Sequence, residues 1–269
     1  MLGVVMRSLV YWGMKLGLLG TTLITSILID IAPLLALSES EVVKKLNNTP
    51  CFLITNSNGL PLTRRLSDKD GKSSLSYTQV FMSIREAQSF ISKLQQQKKQ
   101  APKIAAMINE LRITTVGLGD IHKKSRESAK HPNGLKFAFQ PGQEEIKGAL
   151  ALLKQQGRKI DKFISVPLFM ISAEGKGYIS IKRGPNQDEI IPLYFSKKDA
   201  QNLLKQVKKK YPKAKLEVGD IDGVLNVLYK RNDSWLSQVF LVPSSDSLQF
   251  FSQMQKTKDS NHKLLKPKG

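Results

Sequence analysis

FISVPLFMISAEGKGYISIKRGPNQDEIIPLYFSKKDAQNLLKQV, residues 163–207, decides how the chain is read. SVPLFMIS is apolar and rich in strand formers, and Glu174-Gly175 supplies a turn. GYISIKR alternates, Gly184-Pro185-Asn186 punctuates it, and Ile190–Phe195 returns as a strand. Ser196 then opens a helix whose apolar positions, Ala200, Leu203, Leu204 and Val207, recur at three- and four-residue steps.

The same order of signals occurs upstream. Thr49-Pro50-Cys51-Phe52-Leu53-Ile54-Thr55 matches Val166-Pro167-Leu168-Phe169-Met170-Ile171-Ser172, and Asn58-Gly59 answers Glu174-Gly175. Val80-Phe81-Met82-Ser83 precedes a helical stripe of Ala87, Phe90, Ile91 and Leu94, as Leu193-Tyr194-Phe195-Ser196 does downstream. Gly119-Asp120-Ile121 pairs with Gly219-Asp220-Ile221. Matches in one order read as an internal duplication. The expected fold is α+β: two pseudo-symmetric repeats, each a mainly antiparallel sheet packed with amphipathic helices. The expected boundaries are residues 1–38 for a signal peptide, 39–134 and 135–255 for the repeats, and 256–269 for a Lys-rich disordered tail.

The N-terminal assignment rests on Arg7 and Lys15, the uncharged run Leu16–Ile29, and Ala36-Leu37-Ser38 as a small-residue cleavage site. The run is shorter than a membrane-spanning helix requires; an uncleaved anchor is the rival. An exported, periplasmic protein is expected. Within the first repeat, Ser83-Ile84-Arg85-Glu86 has the form of a capping box. His122–Asn133 is polar and basic and reads as a linker, and Ser247–Met254 as the last helix.

The 269 residues carry 42 Lys and Arg against 22 Asp and Glu, a net charge of +20. Such a chain favours anionic partners or serves only its own solubility. Lys197, Lys198, Lys205, Lys208, Lys209 and Lys210 place much of this charge on one helix as a candidate basic surface. Nucleic acid is not expected: the neighbouring aromatics Phe169, Tyr194 and Phe195 sit in apolar strands, leaving no stacking platform. The single cysteine, Cys51, lies in an apolar run and reads as a core residue. His122, His131 and His262 lack metal-ligand spacing, and no phosphate-cradling or nucleophile-elbow motif is present. No metal, cofactor or enzymatic activity is expected. Asp120 and Asp220 read as turn or cap residues, and would suggest chemistry only if they shared a cleft.

One feature points to binding. In the first strand of each repeat both faces are apolar: Phe52 and Ile54 oppose Cys51 and Leu53, and Phe169 and Ile171 oppose Leu168 and Met170. One face takes the amphipathic helix. The other, bearing Cys51, Leu53, Leu168 and Met170, is either an open apolar groove for client polypeptides or is covered by loops, the helix at Gln143 or the C-terminal helix.

VPLFMIS with its following Gly, IIPLYFSKKDAQNLL and VGDIDGVL, together with TPCFLITNSNGLPL, VFMSIREAQSFISKL and LRITTVGLGDI, span most of Leu46–Leu228. They resemble the Tic-twenty-two family, the intermembrane-space subunit of the chloroplast inner-envelope translocon, and its cyanobacterial relatives. The helix start F-x-[ST]-x-x-[DE]-A-Q after a β-run is the most specific part. The resemblance implies a periplasmic protein that binds unfolded outer-membrane-protein precursors like a chaperone and assists outer-membrane biogenesis; plastid relatives work in the intermembrane space. It leaves outer-membrane assembly machinery as a further partner; the Lys excess and Lys-rich tail, in which this chain departs from the family picture, leave an anionic membrane surface open as another. A basic lipid-surface module is the alternative reading.

Overall fold

The computed structural model describes residues 37–67, 74–98, 102–231 and 233–264. The expected signal peptide lies almost wholly outside them. Eight helices are described: α1 (Glu39–Asn47), α2 (Ile84–Gln97), α3 (Pro102–Glu110), α4 (Leu118–Ala129), α5 (Gln143–Gln155), α6 (Lys197–Val207), α7 (Ile221–Lys230) and α8 (Ser245–Leu264). The strands are β1 (Pro50–Thr55), β2 (Thr63–Ser67), β3 (Ser74–Phe81), β4 (Arg112–Gly117), β5 (Lys136–Gln140), β6 (Pro167–Ala173), β7 (Gly177–Tyr178), β8 (Ile181–Arg183), β9 (Asp188–Tyr194), β10 (Lys215–Asp220) and β11 (Val239–Val242). The expected α+β class is what the chain adopts.

The strands form two sheets. In the first, β4, β1 and β3 are antiparallel neighbours and β5 joins β3 in parallel. In the second, β10, β6 and β9 are antiparallel neighbours and β11 joins β9 in parallel. The connecting bonds correspond as well. Leu118 N donates to Thr49 O at 2.9 Å, as Ile221 N does to Val166 O at 3.0 Å. Met82 N donates to Gln140 O, as Phe195 N does to Val242 O, both at 3.0 Å.

Three sequence expectations are corrected by this topology. Because β5 pairs with β3, the chain beyond residue 134 still belongs to the first sheet, so no boundary falls there. The polar stretch at His122–Asn133 is not a linker: most of it is helix α4, which buries Leu118 and Ile121 while its Lys, Arg and Glu residues face out. Helix α8 continues to Leu264, past the expected start of a disordered tail at residue 256; no Gly or Pro interrupts the chain before Pro267.

The helices lie on both faces of each sheet. Phe52, Ile54 and Phe81 pack under Ile84 and Ala87 of α2, joined by Phe250 of α8. Phe169, Ile171 and Leu216 pack under Ala149 of α5 and Ala200 of α6. The first sheet is therefore covered partly by a helix from the far end of the chain, with the Phe250 ring edge-on to Phe52 at 5.8 Å. The opposite faces of both sheets meet α1, α4 and α7 in one continuous core, which includes Val42, Leu46, Leu118, Ile121, Ile221 and Leu228.

Four helix starts close this arrangement by capping one another. Glu86 Oε1 of α2 accepts from Gln143 N of α5 at 2.9 Å, and Glu145 Oε2 of α5 accepts from Lys197 N of α6 at 2.7 Å. Asp199 Oδ2 of α6 accepts from Ser245 N of α8 at 3.0 Å, and Ser247 Oγ of α8 accepts from Ile84 N of α2 at 3.3 Å. The expected capping box at Ser83 is thus absent. Ser83 makes no side-chain cap, and its Glu86 serves another helix. Each bond satisfies an amide that its own helix leaves unpaired and sets a side-chain oxygen at a positive helix end.

Candidate functional site

The four candidate groove residues lie where the alternation puts them, opposite the α2 and α6 helices, but that face is covered. Cys51 and Leu168 are fully buried, with Leu53 and Met170 at 7% and 5% exposure. The cover is not loops, α5 or α8. It is the central layer of α1, α4 and α7, of which α4 falls largely in the stretch expected to be a linker. Burial pushes the Cys51 thiol far above its usual range, with the Asp120 carboxylate adding to the effect.

Of the four, Met170 lines a pocket. A half-open pocket of about 430 Å³ lies on the central face of the second sheet. Its walls are Met170, Ile191 and Leu193 from β6 and β9, Val224, Val227 and Leu228 from α7, and Trp235, Leu236 and Val239 from a 3-10 turn (Ser234–Gln238) and β11. Tyr178 closes one side, its ring 6.5 Å from that of Trp235. This volume suits a few large apolar side chains or a small ligand, and a mostly apolar wall with few polar groups is the usual form of a binding cavity.

The polar groups sit at one margin. Glu217 Oε1 receives Ser172 Oγ at 3.0 Å and Lys215 Nζ at 3.0 Å, so this carboxylate is satisfied within the protein. Gln156 Nε2 donates to Leu216 O at 3.2 Å. Arg158 follows two residues later at the margin, and no ion pair to it occurs among the described residues. Asp220 reaches the pocket too, but its Oδ1 accepts from Gly223 N at 2.8 Å as the N-cap of α7. Burial raises its carboxyl above the usual range, against the pull of that amide. Burial also raises the Tyr178 hydroxyl, aided by the nearby Glu217 charge.

Asp120 is elsewhere. Its Oδ1 accepts from Asn47 Nδ2 at 3.0 Å, and its own N–H reaches Asn47 Oδ1 at 2.9 Å, tying α4 to α1. The register places Gly117, not Gly119-Asp120, at the position of Asp220: Pro50 faces Gly117 as Pro167 faces Asp220. The two Gly-Asp turns are therefore three positions out of step and share no cleft. Gly119 is required for a different reason, since a Cβ there would stand 2.2 Å from Val43 O of α1.

Of the basic candidates, Lys198, Lys205, Lys208, Lys209 and Lys210 are exposed on and just after α6, while Lys197 is half-buried and donates through Nζ to Gly148 O at 3.3 Å. Among the described residues no group of three His, Cys, Asp or Glu side chains could hold a metal, and no helix is long and apolar enough to cross a membrane. The sequence reading missed Trp235, Tyr178 and the α7 wall. Val224 and Leu228 have helical spacing in the sequence, but nothing local indicates that their neighbours stop short of filling the space.

Fold and site together define an α+β protein in which two like-ordered sheets share one core and an apolar pocket opens on the second. The chain belongs to the Tic22-like family, whose model matches residues 19–253. Among solved structures it is similar to Anabaena Tic22, described as a protein-transport protein: identity is 44% over 81% of this chain and 97% of that one, with a TM-score of 0.75. It also shares the fold of Tic22 from Plasmodium falciparum, at 15% identity over 80% of this chain and 98% of the other, with a TM-score of 0.59. No curated protein sequence matches it.

Proposed function

We propose that this protein is an exported, periplasmic carrier that holds unfolded precursors of outer-membrane proteins, without enzymatic activity, cofactor or metal. The family and the protein-transport description of the Anabaena relative support a transport role. The observation that carries the reading is the half-open pocket of about 430 Å³ walled by Met170, Trp235 and the α7 side chains. Pliable Met and broad aromatic walls accept varied apolar side chains. Clients are held there rather than on one groove per sheet. The strong positive charge keeps the carrier soluble and draws acidic chains to it from a distance.

The molecule also reads as two diverged copies of one unit. Matching strand order, matching connecting bonds and the reciprocal caps among α2, α5, α6 and α8 support this, with each unit's last helix laid on the other unit's sheet.

The test is suppression of aggregation of a urea-unfolded porin on dilution. The full chain at stoichiometric excess should keep the porin soluble; no suppression at that excess overturns the carrier reading. The exposed Lys198, Lys205 and Lys208–Lys210 favour one second reading, a lipid-surface module. In that case anionic vesicles bind in a salt-sensitive way and the porin does not.

A further inference from the structure

Strand β10 ends its sheet, with β6 on one side and no strand on the other among the described residues. The outer edge has a definite pattern. Ile171 O accepts from Ile179 N at 2.9 Å, so this carbonyl is turned away from β10. The facing pair Leu216–Ile171 is then of the type that exchanges no hydrogen bonds, and the N–H and C=O of Leu216 point outward. Two residues on, Val218 faces Phe169 in the same phase and also points both groups outward. The only hydrogen bond to these groups among the described residues is a side-chain one, from Gln156 Nε2 to Leu216 O. An amide N–H there stands where the N–H of a neighbouring strand would be.

This edge is also one wall of the pocket, to which Glu217 and Gly219 belong. A strand laid along it would send alternate side chains toward the cavity. Arg158 stands at the same margin, half-buried and without a carboxylate partner among the described residues, while the other acids there are already satisfied by Lys215, Ser172 and Gly223. A half-buried guanidinium calls for a carboxylate from outside.

We propose that β10 accepts an extended segment of a client as an added strand, with an apolar side chain in the pocket and an acidic side chain on Arg158, and that Gln156 holds the edge until the segment displaces it. Strand addition of this kind takes affinity from main-chain hydrogen bonds and selectivity from alternate side chains. The inference rests on the carrier reading and specifies how the carrier grips. It also accounts for breadth, because main-chain bonds are common to all clients, while folded proteins have no free extended segment to offer.

The probe is a fluorescein-labelled nonapeptide with both ends blocked, alternating Phe and Ser with one central Glu, followed by anisotropy against the full chain. N-methylation of alternate amides on the peptide should weaken binding at least tenfold, and Glu→Gln in the peptide about threefold or more, with Arg158→Gln in the protein removing the difference between the two peptides. Val218→Pro removes an outward N–H at an edge position that tolerates proline. It should fold and lose the peptide, whereas Gln156→Ala should bind more tightly than the parent protein. Equal affinity for the N-methylated and parent peptides overturns strand addition without needing any protein variant. If that happens while the chain still protects the porin, only the mode of grip is wrong. If the chain neither binds the peptide nor protects the porin, the carrier reading falls with it.

Discussion

The two sheets run their strands in the same order, yet the pocket opens on the central face of the second. The difference lies in what precedes each first strand. Before β1 the chain forms α1, which buries Val42 and Leu46 against α4 and locks there through Asn47 and Asp120. Before β6 the corresponding stretch, residues 157–166, contains no helix, and the flank of α7 with Val224, Val227 and Leu228 faces open space instead. A space that one half fills with a helix, the other leaves open. On the carrier reading, the same layout yields a sealed region that serves stability and an unsealed one that holds clients.

Paired substitutions can break this comparison. Leu53 and Met170 occupy corresponding places on β1 and β6. Leu53→Ala should cost about 2–5 kcal/mol, because it empties a packed site. Met170→Ala enlarges a space that is already open and should cost about 2 kcal/mol, at the bottom of that range. Urea unfolding of both variants checks the order, and equal losses would mean that the pocket is closed in solution.

A glycine pair sharpens the same contrast. A Cβ on Gly119 meets backbone, Val43 O at 2.2 Å, so Gly119→Ala forces α1 off α4 and should cost about 2–3 kcal/mol. A Cβ on Gly219 meets only the flexible end of Met170, Cε at 2.8 Å, which can swing into the pocket. Gly219→Ala should cost less than about 1 kcal/mol in the same unfolding experiment.

The reciprocal caps bind the two regions to each other. Ser247→Ala should destabilise by about 1 kcal/mol although Ser247 and Ile84 are 163 residues apart. Glu145 behaves differently. Burial raises its carboxyl above the usual range, so the charged form is disfavoured in the folded state. Glu145→Gln, which keeps an acceptor for Lys197 N, should be neutral or slightly stabilising at pH 7.

The smallest effect is a pH dependence at the junction of α1, α4 and α7. His122 packs on Tyr229 with ring centroids 5.5 Å apart, and Arg126 lies over the same ring and pairs with Glu39 at 3.4 Å. Burial, then Arg126, lowers the His122 pKa below the usual value near 6.5, against the smaller opposite pull of Glu39 and Asp222. The unfolded chain therefore takes up the proton first. Stability should fall as pH drops from about 6.5 to the folded-state pKa and level off below it. In His122→Gln that portion of the slope should disappear from thermal melts recorded between pH 7 and 5.

Much of this architecture can be read from the chain itself, because hydrophobic period and turn residues act locally. Pro50–Thr55 and Pro167–Ala173 announce strands apolar on both faces, and the stripes at Ala87–Leu94 and Ala200–Val207 announce the helices that cover one face. What covers the other face is not local. Helix α4 is polar over most of its length and reveals its two core residues, Leu118 and Ile121, only once α1 is placed against it. The failed capping box shows the same limit. Ser83 and Glu86 have the right spacing, but Glu86 finds a better-placed amide at Gln143, 57 residues away. The pocket was least legible of all, since a void is set by side chains that fail to meet.

The most direct measurement fills the pocket and leaves the rest of the fold in place. Val227→Trp places a bulky ring in the α7 wall, and Lys124→Trp places the same ring at the corresponding turn of α4, on an exposed side. Both variants should melt within a few degrees of the parent chain. In the porin assay, Val227→Trp should need at least about tenfold more protein for equal protection, a loss of about 1.4 kcal/mol, while Lys124→Trp performs as the parent does. Undiminished protection by a folded Val227→Trp protein would contradict the assignment of the pocket as the holding site.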